Sequence, residues 1–226
     1  IIDDDLNRLD GTKRDKHKMM LLLRSLARNE STTVSNNKIR KDIKDIEADD
    51  IDIDTVSSYL DALDRLLLLD NDSPFATNVR SSVRFKQARK RHFSDPSIAC
   101  ALLNLNVNKL IGDLDTFGFM FEALVERDLK IYADTFNGKC YHYQDYLNRE
   151  IDSVIELDDG SWCCFEIKLG AKAIEEAAKN LLNISNSIKK DGGKAPKILC
   201  VICGMSNAAY RRPDGVYVVP ITALKN

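Results

Sequence analysis

Three side chains in this sequence, Asp152, Glu166 and Lys168, have the types and spacing for metal-assisted chemistry on a phosphate. The stretches from Glu150 to Leu157 and from Ser161 to Lys168 alternate in the manner of strands and are separated by Asp158-Asp159-Gly160. On the second stretch Trp162, Cys164, Glu166 and Lys168 share one face, so Glu166 and Lys168 point the same way. With a three-residue hairpin loop in which Gly160 takes the left-handed position, Leu157 pairs with Ser161 and Asp152 falls opposite Glu166. Directly opposed side chains have Cβ atoms about 4.5–5.5 Å apart. Two carboxylates at that separation repel unless a cation lies between them, and hard oxygen ligands of this kind suit Mg²⁺ or Mn²⁺. Lys168, one pleat along, is placed to orient an attacking water or to steady phosphate charge. Glu122, at the edge of the apolar stripe of a preceding helix, offers a further carboxylate to the same sheet.

Those residues need a scaffold, and the periodicity supplies one. Phe117, Met120, Phe121, Leu124, Val125, Leu129 and Tyr132 fall on one side of a helix running to about Asp134. Tyr141 to Tyr143 reads as a short strand ahead of the hairpin. Ala171 to Ile188 reads as an amphipathic helix, and the segments from Ile198 to Cys203 and from Val216 to Ile221 as two further strands. The order is helix, three strands, helix, strand, strand. Upstream, Lys16 to Arg28 and Asn36 to Ile43 have helical spacing, the second with Ser35 as N-cap. A third helix is expected after Asp54, with an apolar stripe from Val56 through Leu66 to Leu69. Turn signals at Asp70-Asn71-Asp72 and a strand-like Ser82 to Phe85 complete the pattern of a winged helix-turn-helix.

With 226 residues, 44% hydrophobic and 30% charged, the chain belongs to the globular class. Its 33 basic and 35 acidic residues give a net charge of -2, so any nucleic-acid surface must be local. The basic run Arg80, Arg84, Lys86, Arg89, Lys90 and Arg91 has no acid between its members and reads as a wing or arm that tracks phosphates, or as a face docking on another domain. The approach to the third helix, from Asp42 to Asp54, is strongly acidic and would repel phosphate. The longest apolar runs are about a third of the roughly 20 residues a membrane span needs. The six cysteines cluster in strand-like segments without an export signal, so they read as reduced core residues of a cytoplasmic protein. In Cys200-x-x-Cys203 the two thiols should point to opposite faces, which argues against a shared metal. His17, His92 and His142 are isolated in sequence.

The set Glu122, Asp152 and Glu166-Ile167-Lys168 resembles the core of the PD-(D/E)XK, or restriction-endonuclease-like, nuclease superfamily. That resemblance implies a three-layer α/β domain with a mixed sheet, metal ligation by Asp152 and Glu166 with Glu122 completing the site, and assistance to the nucleophile from Lys168. Ile151 stands where the motif has proline. The Gln or Lys common on the following helix could be only Lys172 or Lys179.

A wider resemblance rests on five blocks: residues Ser57 to Leu63, His92 to Ala99, Phe117 to Glu122, Arg149 to Asp152 and Glu166 to Gly170. Together they are similar to the C-terminal region of a prokaryotic family of AAA-type ATPases. It implies residues 1–98 as a winged-helix-like domain and 99–226 as the nuclease-like domain, with DNA and an N-terminal ATPase domain of the same polypeptide as partners. The start at Ile1 without Met fits a chain cut from a longer one. Gly192-Gly193-Lys194 lacks the phosphate-loop spacing, so ATP is expected only through the absent N-terminal domain. The two functional readings are a divalent-metal nuclease module and a non-catalytic DNA- or protein-binding module.

Overall fold

The computed structural model describes residues 11–47, 51–77 and 87–225. Contacts divide the chain into two compact units: Ile1–Asn71 with Ala88–Asp113, and Asp72–Gln87 with Leu114–Asn226. The change of unit after the two short helices thus falls at 113/114, whereas the sequence reading places it at 98/99. Residues 72–87 are also assigned to the second unit, which no composition shift signals. Among the described residues there are seven α-helices and six strands, and no helix is long and apolar enough to cross a membrane.

In the first unit α1 (Lys16–Arg28), α2 (Asn36–Glu47) and α3 (Ile53–Arg65) pack in succession, and α4 (Pro96–Leu102) packs on α1. The core is apolar at helical spacing: Met19, Leu22 and Leu26, then Ile39 and Ile43, then Val56, Leu60 and Leu63. Asp15 caps α1 by accepting from the amides of His17 and Lys18 at 2.8 and 3.1 Å. Ser35 accepts from the amide of Lys38 at 3.2 Å, as its place ahead of α2 requires. At α3 the N-cap is Asp52 and not Asp54, which sits in the first turn. The helix also stops at Arg65: Leu67 takes a left-handed φ of 56° and is 77% exposed, so the leucine run is not one buried stripe. The short helices α4 and α5 (Val107–Gly112) were not read from the sequence. The expected strand from Ser82 to Phe85 lies outside the described residues.

Two isolated antiparallel bridges, Thr32 with Arg91 and Leu69 with Phe93, bring three separated segments together. A buried carboxylate pins them. Glu30 meets His92 Nδ1 at 3.0 Å and accepts from the amide of Phe93 at 3.2 Å, with both Glu30 and His92 enclosed. Removing one member of a buried, hydrogen-bonded pair leaves the other desolvated without compensation.

In the second unit, strands β1 (Lys139–Gln144), β2 (Glu150–Glu156), β3 (Trp162–Lys168), β4 (Ile198–Cys203), β5 (Tyr210–Arg211) and β6 (Tyr217–Pro220) form one sheet in the order β1-β2-β3-β4-β6-β5. The pairs β1-β2, β2-β3 and β5-β6 are antiparallel, and β3-β4 and β4-β6 are parallel. Helix α6 (Leu114–Asp134) buries Phe121, Val125, Leu129 and Ala133 against Ile155, Ile167, Cys200 and Ile202 on one face. Helix α7 (Ile174–Lys190) buries Ala177, Ala178, Leu181 and Ile184 against Val154, Cys164, Val201 and Cys203 on the other. Cys200 and Cys203 therefore do face opposite layers, and all six cysteines are free. The outer edge of β1 is covered by residues 73–75. Phe75 N–H donates to the His142 carbonyl at 2.7 Å, His142 N–H donates to that of Ser73 at 3.1 Å, and the Phe75 ring lies 4.9 Å from that of Trp162.

Replacing Glu30 with Ala is expected to lower the melting temperature by about 6–12 °C, for roughly 3 kcal/mol lost from the buried pair. Thermal unfolding followed by circular dichroism measures it.

Candidate metal centre on the β2-β3 hairpin

The hairpin closes as its loop residues dictate. Gly160 has φ +68°, its amide donates to the Leu157 carbonyl at 2.8 Å, and Leu157 N–H donates to the Ser161 carbonyl at 2.8 Å. From that turn the register runs Glu156 with Trp162, Ile155 with Cys163, Val154 with Cys164 and Ser153 with Phe165. Asp152 and Glu166 lie just beyond that last pair. The ladder ends there, and the amide of Ile167 donates to Asp152 Oδ2 at 2.7 Å, so a side chain serves as backbone acceptor at the point where the strands part.

Lys168 joins the two acids. Its Nζ is 3.0 Å from Asp152 Oδ2 and 2.7 Å from Glu166 Oε2. The second oxygen of Glu166 accepts from Asn180 Nδ2 at 2.7 Å, and the same amide group reaches the carbonyl of Glu150 at 2.8 Å. Asn180 thereby ties α7 to both strands of the hairpin and fixes the rotation of the Glu166 carboxylate. Glu166 is almost fully enclosed while Lys168 and Asp152 keep partial exposure. Burial first, and the Asp152 charge second, push the Glu166 carboxyl up to about 7, against the pull of Lys168 and Asn180. Burial alone would lower the Lys168 ammonium, but the two carboxylates hold its pKa above the ordinary lysine value. The three groups line a cavity of about 510 Å³ together with Arg149, Glu176 and Asn180.

Glu122 stands on α6 in the wall of an adjoining cavity of about 470 Å³, which it shares with Asp115, Phe119, Ile167 and Lys168. Lys168 and Ala173 line both spaces. Lys172 and Lys179 are exposed and line neither cavity; the polar residues that the following helix brings to the first cavity are Glu176 and Asn180, and Asn180 is the one that hydrogen-bonds Glu166. An amide one position beyond Lys179 on an amphipathic helix carries no signal separating it from a solvated side chain. Arg149 is held by Asp145 at 2.7 Å and reaches Ser187 Oγ at 3.0 Å.

The described members of the basic run differ in exposure. Arg80, Arg84 and Lys86 lie outside the described residues. Arg91 reaches Asn36 Oδ1 at 2.7 Å, Lys90 is 6% exposed, and Arg89 is exposed. Arg91 is half-buried and its guanidinium bonds to Val34 and Asn36 of the first unit, Lys90 is buried, and of the described members Arg89 alone is exposed.

Residues 1–109 match the model for Domain of unknown function (DUF8612), and residues 117–224 match the model for Domain of unknown function (DUF4143). The two matches bracket the unit boundary at 113/114. No curated protein matches the chain.

Because the Glu166 carboxyl titrates near 7 in the folded chain and near its ordinary 4.5 when unfolded, its protonation favours the fold below about pH 4.5, and that contribution is lost as pH rises through about 7. Glu166→Gln has no such proton to lose. The melting temperature of the metal-free wild type is therefore expected to fall relative to Glu166→Gln between pH 4.5 and 7, by about 4–8 °C if roughly 2 kcal/mol is involved. Parallel thermal scans across that range check it.

Proposed function

We propose that the second unit is a divalent-metal phosphodiesterase module acting on DNA, with the PD-(D/E)XK architecture. The observation that carries this reading is the opposed pair Asp152 and Glu166 with the Lys168 ammonium in contact with both. The donor set suits a hard divalent ion: two carboxylates converge from adjacent strands, and a positive charge already stands where an ion would neutralise them. A bound Mg²⁺ or Mn²⁺ supplies Lewis-acid polarisation of the scissile phosphate. Asp152 and Glu166 hold the ion, Asn180 keeps Glu166 turned toward it, and Lys168 offers its ammonium to the nucleophile or to phosphate oxygen. In the first unit, α1 to α3 and the bridges through Thr32, Leu69, Arg91 and Phe93 support a winged-helix reading. The five-block resemblance supports a place at the C-terminal end of a cytoplasmic AAA-type ATPase, with ATP handled elsewhere in that polypeptide.

A second reading has its own support. A site whose acids are satisfied by its own lysine, with Glu166 titrating near 7, is also what a non-catalytic DNA- or protein-binding module retains.

Plasmid nicking with Mn²⁺ separates the two. The catalytic reading expects nicking by wild type and its loss, by at least about 100-fold, in Asp152→Asn and Glu166→Gln. Absence of Mn²⁺-dependent nicking in the full-length protein, with Mn²⁺ binding intact, would leave the binding module standing.

A further inference from the structure

The turn that joins β1 to β2 is built around one enclosed carboxylate. Asp145 accepts from the amides of Leu147 and Arg149 at 2.8 and 2.9 Å and from Arg149 Nε at 2.7 Å. Its own amide donates to the Arg149 carbonyl at 3.0 Å, and Asn148 turns the chain with a left-handed φ of 57°. Arg149 Nη2 also donates to Ser187 Oγ on α7 at 3.0 Å. Resting on the DNA reading above, we propose that this turn is a clamp for one unpaired strand: Arg149 takes a phosphate beside the scissile one, and Tyr146 stacks on a base of the same strand.

Two cations line the cavity that holds Asp152 and Glu166, Lys168 and Arg149. Lys168 lies between the two acids, at the reacting position. Arg149 stands three residues ahead of Asp152, about 10 Å of extended chain, so it meets a neighbouring phosphate and is a binding residue, not a catalytic one. A planar guanidinium suits phosphate oxygens, and this one is held in place by Asp145 and Ser187, so little side-chain freedom is lost when a phosphate arrives. Glu150 and Glu176, exposed acids in the same wall, repel phosphate, so a strand enters where Arg149 offsets them.

The turn also holds Tyr146 in water. Its ring is 84% exposed, more than any other large hydrophobic side chain among the described residues, and the Asp145 hydrogen bonds fix the backbone on either side of it. Tyr146 and Arg149 share the wall of a further cavity of about 250 Å³, and Arg149 borders that space and the carboxylate cavity alike. A strand laid from the carboxylates across Arg149 therefore reaches Tyr146. An aromatic ring stacks on any base with an open face, and bases inside a duplex offer none, so the clamp selects single strands and frayed ends.

Fluorescence anisotropy of a labelled single-stranded oligonucleotide, and of the same strand annealed to its complement, tests the clamp with the whole chain in EDTA, where binding is read without turnover. Wild type should bind the single strand about tenfold more tightly than the duplex. Tyr146→Ala should weaken the single strand about fivefold or more, leave the duplex unchanged, and be rescued by Tyr146→Phe, which keeps the ring. Arg149→Gln should reduce the slope of log affinity against log salt by about 0.7, the share of one phosphate in a single strand, and Arg149→Lys should keep the slope. Equal binding of the two probes, binding of neither, or wild-type behaviour of either Tyr146→Ala or Arg149→Gln overturns the clamp. Mn²⁺-dependent nicking that persists in that case leaves the phosphodiesterase reading intact, whereas clamp effects without any nicking overturn that reading and leave the clamp. Should Arg149→Gln fail to fold, Tyr146→Ala, at an exposed tip, decides the outcome on its own.

Discussion

Like charges forced together across a hairpin govern the second unit. A three-residue turn sets the register, the two strands stay paired as far as Ser153 with Phe165, and just beyond that point Asp152 and Glu166 meet the same Lys168 ammonium. Such a pair is tolerable only with a counter-charge, and Lys168, two residues along the same strand face as Glu166, supplies it. The surrounding helices are arranged around that requirement. Helix α7 brings the Asn180 amide to the acid that burial disfavours most, and α6 seals the opposite face of β3 with Phe121 and Val125. The site is an electrostatic compromise enclosed between two apolar layers.

The hairpin was legible because its signals are local and of period two. Gly160 at the turn, alternation on both strands and Glu-x-Lys spacing together fix which side chains meet, and none of them depends on distant contacts. The helices from Lys16 and Ile174, and the strand Ile198–Cys203, were equally plain, because a long apolar stripe or an unbroken apolar run leaves few alternatives. Elsewhere tertiary context decided. The leucines at 66–69 look like more helix, but Leu67 turns left-handed and the chain leaves the helix toward the bridge at Leu69. The two-residue strand Tyr210–Arg211 is too short to have a period. The reach of Asn180 to Glu166 spans 14 residues and depends on how α7 lies across the sheet. The basic run shows the same limit: sequence reports charge, while Arg91 spends its charge on Asn36.

The segment 72–87 follows the first unit's helices in the chain but belongs to the second unit, so the polypeptide changes unit at 71/72, at 87/88 and at 113/114. Its residues 73–75 pair with both backbone groups of His142 in β1 and place Phe75 beside Tyr141 and Trp162. The sheet's flank is thus closed by a piece of chain borrowed from before the first unit is complete. A polypeptide starting at residue 114 would keep every residue of the hairpin chemistry and yet present β1 as a bare template for another strand. In evolutionary terms the two units are not interchangeable cassettes: recombination at the apparent joint would separate a working surface from the selvage that keeps it from fraying into its neighbours.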